Sequence, residues 1–157
     1  MPQGSRPEFE LEGHPFFWMT QVIAARDNAL AGELKGLGLR VPEWRVLASL
    51  CARKRLSMKK LADLSSIDRT TLTRTVDRML ETGLLARLAD SEDLRVTRLS
   101  LTAAGGKLFA RIWPAVDRLN RSAAEGLPKG AVDMLGWTLE RMKINLDRDS
   151  SAEENVA

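Results

Sequence analysis

The chain has 157 residues, 44% of them apolar and 29% charged, with 24 Lys and Arg against 21 Asp and Glu. That balance fits one globular domain with additional helices and excludes a disordered or fibrous chain. No run approaches the roughly 18 apolar residues of a membrane-spanning helix. Met1 to Gly13 carries Glu8, Glu10 and Glu12 without an apolar stretch, so it does not read as a secretory signal. A single cysteine, Cys51, permits no internal disulfide, and the expected compartment is the cytoplasm.

The same scarcity limits chemistry. One histidine, His14, and one cysteine fall short of a Cys/His zinc set. No G-x-S-x-G, phosphate-binding Gly-rich loop or H-E-x-x-H occurs, and the carboxylates are scattered. The sequence therefore predicts no catalytic residue, no metal and no cofactor, and an enzyme is not expected.

In chain order, residues 1–13 read as a flexible arm. Met19, Ile23, Leu30, Leu34 and Leu37 recur at helical spacings and predict a helix from Pro15 to Leu37, ended by Gly36 and Gly38. Pro42 sits in the first turn of a second helix, which runs to Arg53 with Trp44, Leu47, Ala48 and Cys51 on one stripe. Arg53-Lys54-Arg55 closes it, at the negative end of its dipole. Ser57 is a good cap for a short third helix whose apolar face is Met58, Leu61 and Ala62. After a break at Ser65-Ser66-Ile67, Asp68 caps a fourth helix from Arg69 to Thr82 that buries Leu72, Val76, Met79 and Leu80. Gly83 takes the left-handed position behind it. Two short helices joined by such a turn form a helix-turn-helix.

Leu84–Leu88 and Arg95–Leu101 then read as strands, the second with Thr97, Leu99 and Leu101 on one face. The polar loop from Ala89 to Leu94 joins them as a hairpin, which after a helix-turn-helix is a wing. Thr102 caps a fifth helix to about Glu125, and Pro114 inside it is expected to bend it. Val132, Leu135, Leu139, Met142 and Leu146, spaced 3, 4, 3 and 4, form a heptad seam on a last helix. The sequence thus predicts a mainly α fold: a winged helix-turn-helix over 40–102, with a two-stranded wing. Dimerisation helices at 14–38 and 103–148 flank it, and a flexible tail covers 149–157. The seam and the apolar first helix exceed what the central domain needs to cover itself, which points to a homodimer through those five residues. Packing of the first, fifth and sixth helices within one chain is the alternative.

Charge is concentrated in the centre. Residues 40–78 hold ten Lys and Arg against four Asp and Glu, a face suited to phosphates. The polar side of the fourth helix offers Arg69, Thr70, Thr71, Thr73, Arg74 and Arg78. Short hydroxyl side chains let a helix approach a groove floor, threonine methyls meet thymine methyls, and arginine bonds guanine edges or phosphate. Threonine is a poor helix former, so this density is not explained by helix stability. Lys59, Lys60 and the Arg53–Arg55 run read as phosphate clamps. Arg95 in the wing, oriented by Asp93, is a second contact reaching a minor groove or the flanking backbone. The expected partner is double-stranded DNA; a protein-interaction module that has lost DNA binding is the competing reading.

The string from Asp68 to Leu84, followed by Arg87, Asp90, Asp93, Arg95 and Leu99-Ser100-Leu101-Thr102-Ala103-Ala104-Gly105, resembles the MarR family of winged-helix transcription regulators. The likeness in layout spans Pro15 to Leu146, and its specific part is Leu61 to Gly105. It implies a homodimer whose terminal helices interleave and whose recognition helices enter successive major grooves of a pseudo-palindromic operator, about 34–36 Å apart. It implies groove contacts from Arg69 to Arg74 and a wing pair of Asp93 with Arg95. The wing tip departs from the family's D-P-x-D-R-R: Leu94 replaces an arginine and Glu92 adds an acid, which predicts a weaker, less salt-sensitive wing contact.

Family members often bind a small aromatic effector, which makes such a compound a possible partner, its binding releasing a repressor from DNA. Here His14, Phe17 and Trp18 open the first helix and Trp44 and Arg45 the second, offering an apolar pocket with a polar grip. The alternative is that Phe17, Trp18 and Trp44 are core. Cys51, on the apolar stripe of its helix, reads as a buried, inert thiol rather than a redox sensor.

Overall fold

The computed structural model describes residues 10–89 and 97–154, with side chains described up to Arg148. A 3-10 turn, Leu11–Gly13, precedes α1 (Pro15–Lys35), α2 (Val41–Arg53), α3 (Met58–Ser65) and α4 (Arg69–Glu81). Strands β1 (Leu85–Ala89) and β2 (Thr97–Leu101) follow, then α5 (Ala103–Ala123) and α6 (Ala131–Glu154). The chain divides into two units, one up to Leu119 and one from Asn120. No described helix is long and apolar enough to cross a membrane.

The first unit is built on one apolar cluster. Leu30 and Leu34 of α1 meet Trp44, Val46, Leu47 and Leu50 of α2, Leu61 of α3, Leu72, Val76 and Met79 of α4, and Ile112 and Val116 of α5. Each such side chain contributes about 1.5–3 kcal/mol by leaving water. The strands pair antiparallel from Leu85↔Leu101 to Ala89↔Thr97, and turn Leu85 and Leu99 into the same cluster. A third, one-residue rung adds to the sheet. Leu56, between α2 and α3, exchanges both backbone hydrogen bonds with Leu99, at 3.1 and 2.8 Å. This rung ties the start of the helix-turn-helix to the second strand of the wing. One residue shows no alternation, so no sequence pattern announces it.

The predicted caps form. Ser57 Oγ accepts from Lys60 N–H, Asp68 Oδ1 accepts from Thr71 N–H at 2.9 Å, and Gly83 stands at φ +70. Thr102 does more than cap. Its Oγ1 accepts from Gly105 N–H at 3.1 Å and donates to the carbonyl of Gly83 at 2.7 Å, while its N–H donates to Leu84 O. The first turn of α5 is thereby fastened to the turn that ends α4. Gly105 completes the junction, because a Cβ there would lie 2.2 Å from Leu84 O.

Three readings of the sequence are corrected. Cys51 is exposed, not buried: the buried edge of α2 is Glu43, Trp44, Val46, Leu47 and Leu50, and Cys51 falls beside it in the last turn. The stretch expected as an arm ends in the Leu11–Gly13 turn, where Glu12 O accepts from Trp18 Nε1 at 2.9 Å. The last helix continues to Glu154 instead of ending near residue 148, because nothing between 147 and 154 is Gly or Pro. Within that second unit, Val132, Leu135, Leu139 and Leu146 are exposed and Met142 is half-buried. Trp137 lies under the Arg141 guanidinium at 5.8 Å.

Gly105 and Gly106 give a paired test of the junction. Gly105→Ala forces a methyl against backbone and should lower stability by about 1–3 kcal/mol. Gly106→Ala, with nothing within 4 Å of the added carbon, should raise it by about 0.5–1 kcal/mol through lost chain entropy. Urea unfolding of both variants checks the pair, and equal effects at the two positions would contradict the packing.

Candidate nucleic-acid interface

The rotation of α4 about its axis is set by its buried edge, Leu72, Thr75, Val76 and Met79. Successive helical residues turn by about 100°, so the polar residues divide into three sectors. Thr70 points directly away from the buried edge, with Arg74 and Asp77 about 30° to either side of that direction. Arg69 and Thr73 lie on the flank toward α3 and the hairpin, where Asp77 also borders the groove. Thr71 and Arg78 lie on the opposite flank.

In the outward sector the acid, Asp77, is paired with Arg87. Thr70, Thr73, Arg69 and Arg74 are exposed, and no acid among the described residues pairs with either arginine. Thr73 Oγ1 donates to Arg69 O at 2.9 Å, which leaves its lone pairs and methyl facing out. Thr71 is half-buried. Thr75 belongs to the core, its hydroxyl donating to Thr71 O at 2.8 Å.

The first flank opens on a groove of about 700 Å³ between α3, α4 and the strands. Its floor is apolar, with Met58, Ala62, Leu72, Val76 and Leu99; its rim carries Lys59, Arg69, Thr73, Asp77 and Arg87. Arg87 Nη2 lies 3.2 Å from Asp77 Oδ1, which pins β1 to the recognition helix. Sequence reasoning did not place Arg87 at the site. Its position on a strand gives no hint of an acid ten residues earlier on a helix.

On the second flank Arg78 is not free. Its Nη1 lies 3.3 Å from Glu43 Oε1, and its Nη2 donates to Gly38 O at 3.3 Å. Lys60 and the Arg53-Lys54-Arg55 run are exposed, with Lys54 at φ +60 closing α2. Asp93 and Arg95, the expected wing pair, lie outside the described residues.

The five residues expected to line an effector pocket differ in burial and partners. Trp44 is buried and stacks on Phe109 at 5.4 Å, which in turn stacks on Trp113 at 6.0 Å, an aromatic ladder between α2 and α5. Arg45 pairs with Asp27 of α1. His14 and Trp18 are exposed and Phe17 is half-buried, near the start of α1. Ten residues of helix, about 15 Å, separate Phe17 from the Asp27 that Arg45 meets.

The MarR family profile matches residues 39–97, which contain α2 through the start of β2. The HTH-type transcriptional repressor IacR of Pseudomonas putida is 31% identical over 140 residues, spanning 89% of this chain and 84% of the relative. A MarR-family transcriptional regulator from Silicibacter pomeroyi superposes with a TM-score of 0.80 at 28% identity, over 89% of this chain and 94% of that one. Bordetella bronchiseptica BpsR, whose DNA binding is regulated by 6-hydroxynicotinic acid, has the same fold at 18% identity and a TM-score of 0.74, over 86% and 96% of the two chains.

Asp68, the cap of α4, is an ionisable group with a shifted titration. Hydrogen bonds from Thr71, first its side chain and then its backbone N–H, hold the carboxyl below the ordinary aspartate value. Its charged form is therefore favoured by folding. That contribution is complete above the ordinary aspartate pKa of about 4 and is lost as pH falls through the lower folded value. Asp68→Asn keeps a capping oxygen without a charge. The Tm advantage of wild type over this variant should shrink between pH 6 and pH 2.5; a constant difference would contradict the assigned cap.

Proposed function

Since the chain belongs to the MarR family of transcription regulators, we propose that this DNA-binding regulator acts as a homodimeric repressor released by a small aromatic ligand. The observation that carries the reading is the outward sector of α4: Thr70 and Arg74, flanked by Arg69 and Thr73, stand exposed and without acid partners among the described residues. This is the arrangement a major groove admits, one helix with base contacts from its N-terminal half. Lys59, Lys60 and the Arg53–Arg55 run supply phosphate contacts that position the helix without reading sequence.

Dimerisation is supported by the apolar surface of the terminal helices. Phe16, Trp18, Val22 and Ile23 on α1, and Val132, Leu135, Trp137 and Leu146 on α6, are each more than half exposed in the single chain. Apolar surface of that extent marks an interface. Repression is supported by the relative from Pseudomonas putida, which is a repressor. Ligand release is supported by the Bordetella regulator, whose DNA binding responds to 6-hydroxynicotinic acid.

Selection of bound duplexes from random DNA tests the reading, and an enriched inverted repeat is expected. On that duplex Arg74→Ala should weaken binding by about 1–3 kcal/mol, roughly 5- to 150-fold, with little loss of stability. Unchanged affinity would remove α4 as the reader. Leu139→Asp should convert dimer to monomer in sedimentation, and an intact dimer would place the interface elsewhere. Adding 6-hydroxynicotinic acid and simple aromatic acids to the complex should dissociate it; no effect from any of them argues against release by that ligand class.

A further inference from the structure

The second flank of α4 carries a contact that the groove-reading arginines do not explain. Glu43 is only 1% exposed, in the first turn of α2. A buried carboxylate is costly unless its oxygens are bonded, and here each has a partner. Oε2 accepts from Arg40 N–H at 2.7 Å and has the exposed Arg40 Nε at 3.8 Å, and Oε1 faces Arg78 Nη1 at 3.3 Å. The other prong of the Arg78 fork donates to the carbonyl of Gly38, whose φ of +66 turns the link between α1 and α2. One guanidinium thus joins the recognition helix to the α1–α2 link and to the first turn of α2.

We infer that Glu43 and Arg78 form a bolt that sets the angle at which α4 meets DNA, so that they are positioning residues for sequence discrimination and not groups that touch the duplex. The inference rests on the DNA-binding reading above. Its physical basis is leverage. The buried edge of α4 fixes rotation about the helix axis, but apolar contacts are non-directional and tolerate small tilts. The Arg78 fork is directional, because a planar guanidinium bonds two acceptors at once. Arg78 is two turns beyond Thr70 and one beyond Arg74, so a tilt at the bolt moves the reading residues relative to base edges. Base contacts are sensitive to such a shift, whereas phosphate contacts through flexible lysines are not.

The rival account is that Arg78 is a phosphate contact, and the two separate cleanly. The duplex enriched by the wild-type chain and a scrambled duplex are titrated by fluorescence anisotropy across a salt series. The variants are Arg78→Lys, Arg78→Gln, Glu43→Gln and the Glu43→Gln/Arg78→Gln double. The bolt predicts that each single variant lowers the ratio of selected to scrambled affinity by about tenfold, that the salt slope stays unchanged, and that the double is no worse than the singles by more than about twofold, as expected for residues acting as one unit. Lysine does not rescue, because it keeps the charge but not the fork. The bolt is overturned if Arg78→Lys behaves as wild type while Arg78→Gln weakens both duplexes alike and cuts the salt slope by about 0.9, the signature of one lost phosphate contact. It is equally overturned if the variants lower Tm and leave the affinity ratio intact. Should Glu43→Gln not fold, the Arg78 variants decide alone, since that side chain is 47% exposed. A wild-type chain that enriches no duplex removes the DNA-binding reading itself, a result distinct from either failure of the bolt.

Discussion

Everything the recognition helix can do follows from how its other edge is buried. Leu72, Val76 and Met79, each 1% exposed, lock α4 against α2, α3 and the strands. A helix has one rotational setting in which three such side chains are covered at once, and that setting decides which polar residues face outward. Thr70 and Arg74 are presented because Leu72 and Val76 are not. The capping bond at Asp68 and the Thr102 fastening at the far end hold the two ends of the element between them.

The parts that were legible in the sequence are those encoded by neighbours. The α4 stripe, the Asp68 and Thr102 caps and the Gly83 turn each arise from residues within four positions of one another, and a single strand of sequence displays them. Contacts between distant residues were not legible. The Leu56–Leu99 rung, the Asp77–Arg87 pair and the Glu43–Arg78 pair depend on the packing of separate elements. The polar residues of α4 looked like one face because composition does not resolve angle. Folding divides them, giving Arg78 to α2 and Thr75 to the core. Cys51 shows the same limit from the other side: it matches the spacing of Trp44 and Leu47, yet the buried edge is centred closer to Leu47 and Leu50, and the thiol is exposed. The partners of two residues grouped by chemistry as an effector pocket were likewise not legible: Trp44 stacks in the aromatic ladder and Arg45 is tied to Asp27.

The excess of positive charge in residues 40–78 acquires a structure of its own. Arg45 is matched by Asp27, and Arg40 and Arg78 by Glu43, so these three cations serve the fold. Arg53, Lys54, Arg55, Lys59, Lys60, Arg69 and Arg74 have no ion-pair partner among the described residues. Pairing within the fold therefore sorts the basic residues instead of cancelling them. Five of those left over precede α4 in sequence, from the end of α2 into α3, and Arg69 and Arg74 lie in its N-terminal half.

That sorting separates affinity from selectivity. On the proposed reading the lysines and the Arg53–Arg55 run attract any duplex and respond steeply to salt, since each neutralised phosphate releases counterions. They cannot distinguish one sequence from another. In the same proposal discrimination falls to Thr70, Arg74 and their neighbours, whose value depends on placement at base edges. A residue that fixes the helix without touching DNA can then matter as much to selectivity as one that does, because a displaced reader loses its bond while the phosphate clamps adjust. In this fold an arginine paired within the fold and one left unpaired share one helix, one turn apart at Arg78 and Arg74, and the acid buried at Glu43 is what separates them; the proposal gives the first to positioning and the second to reading.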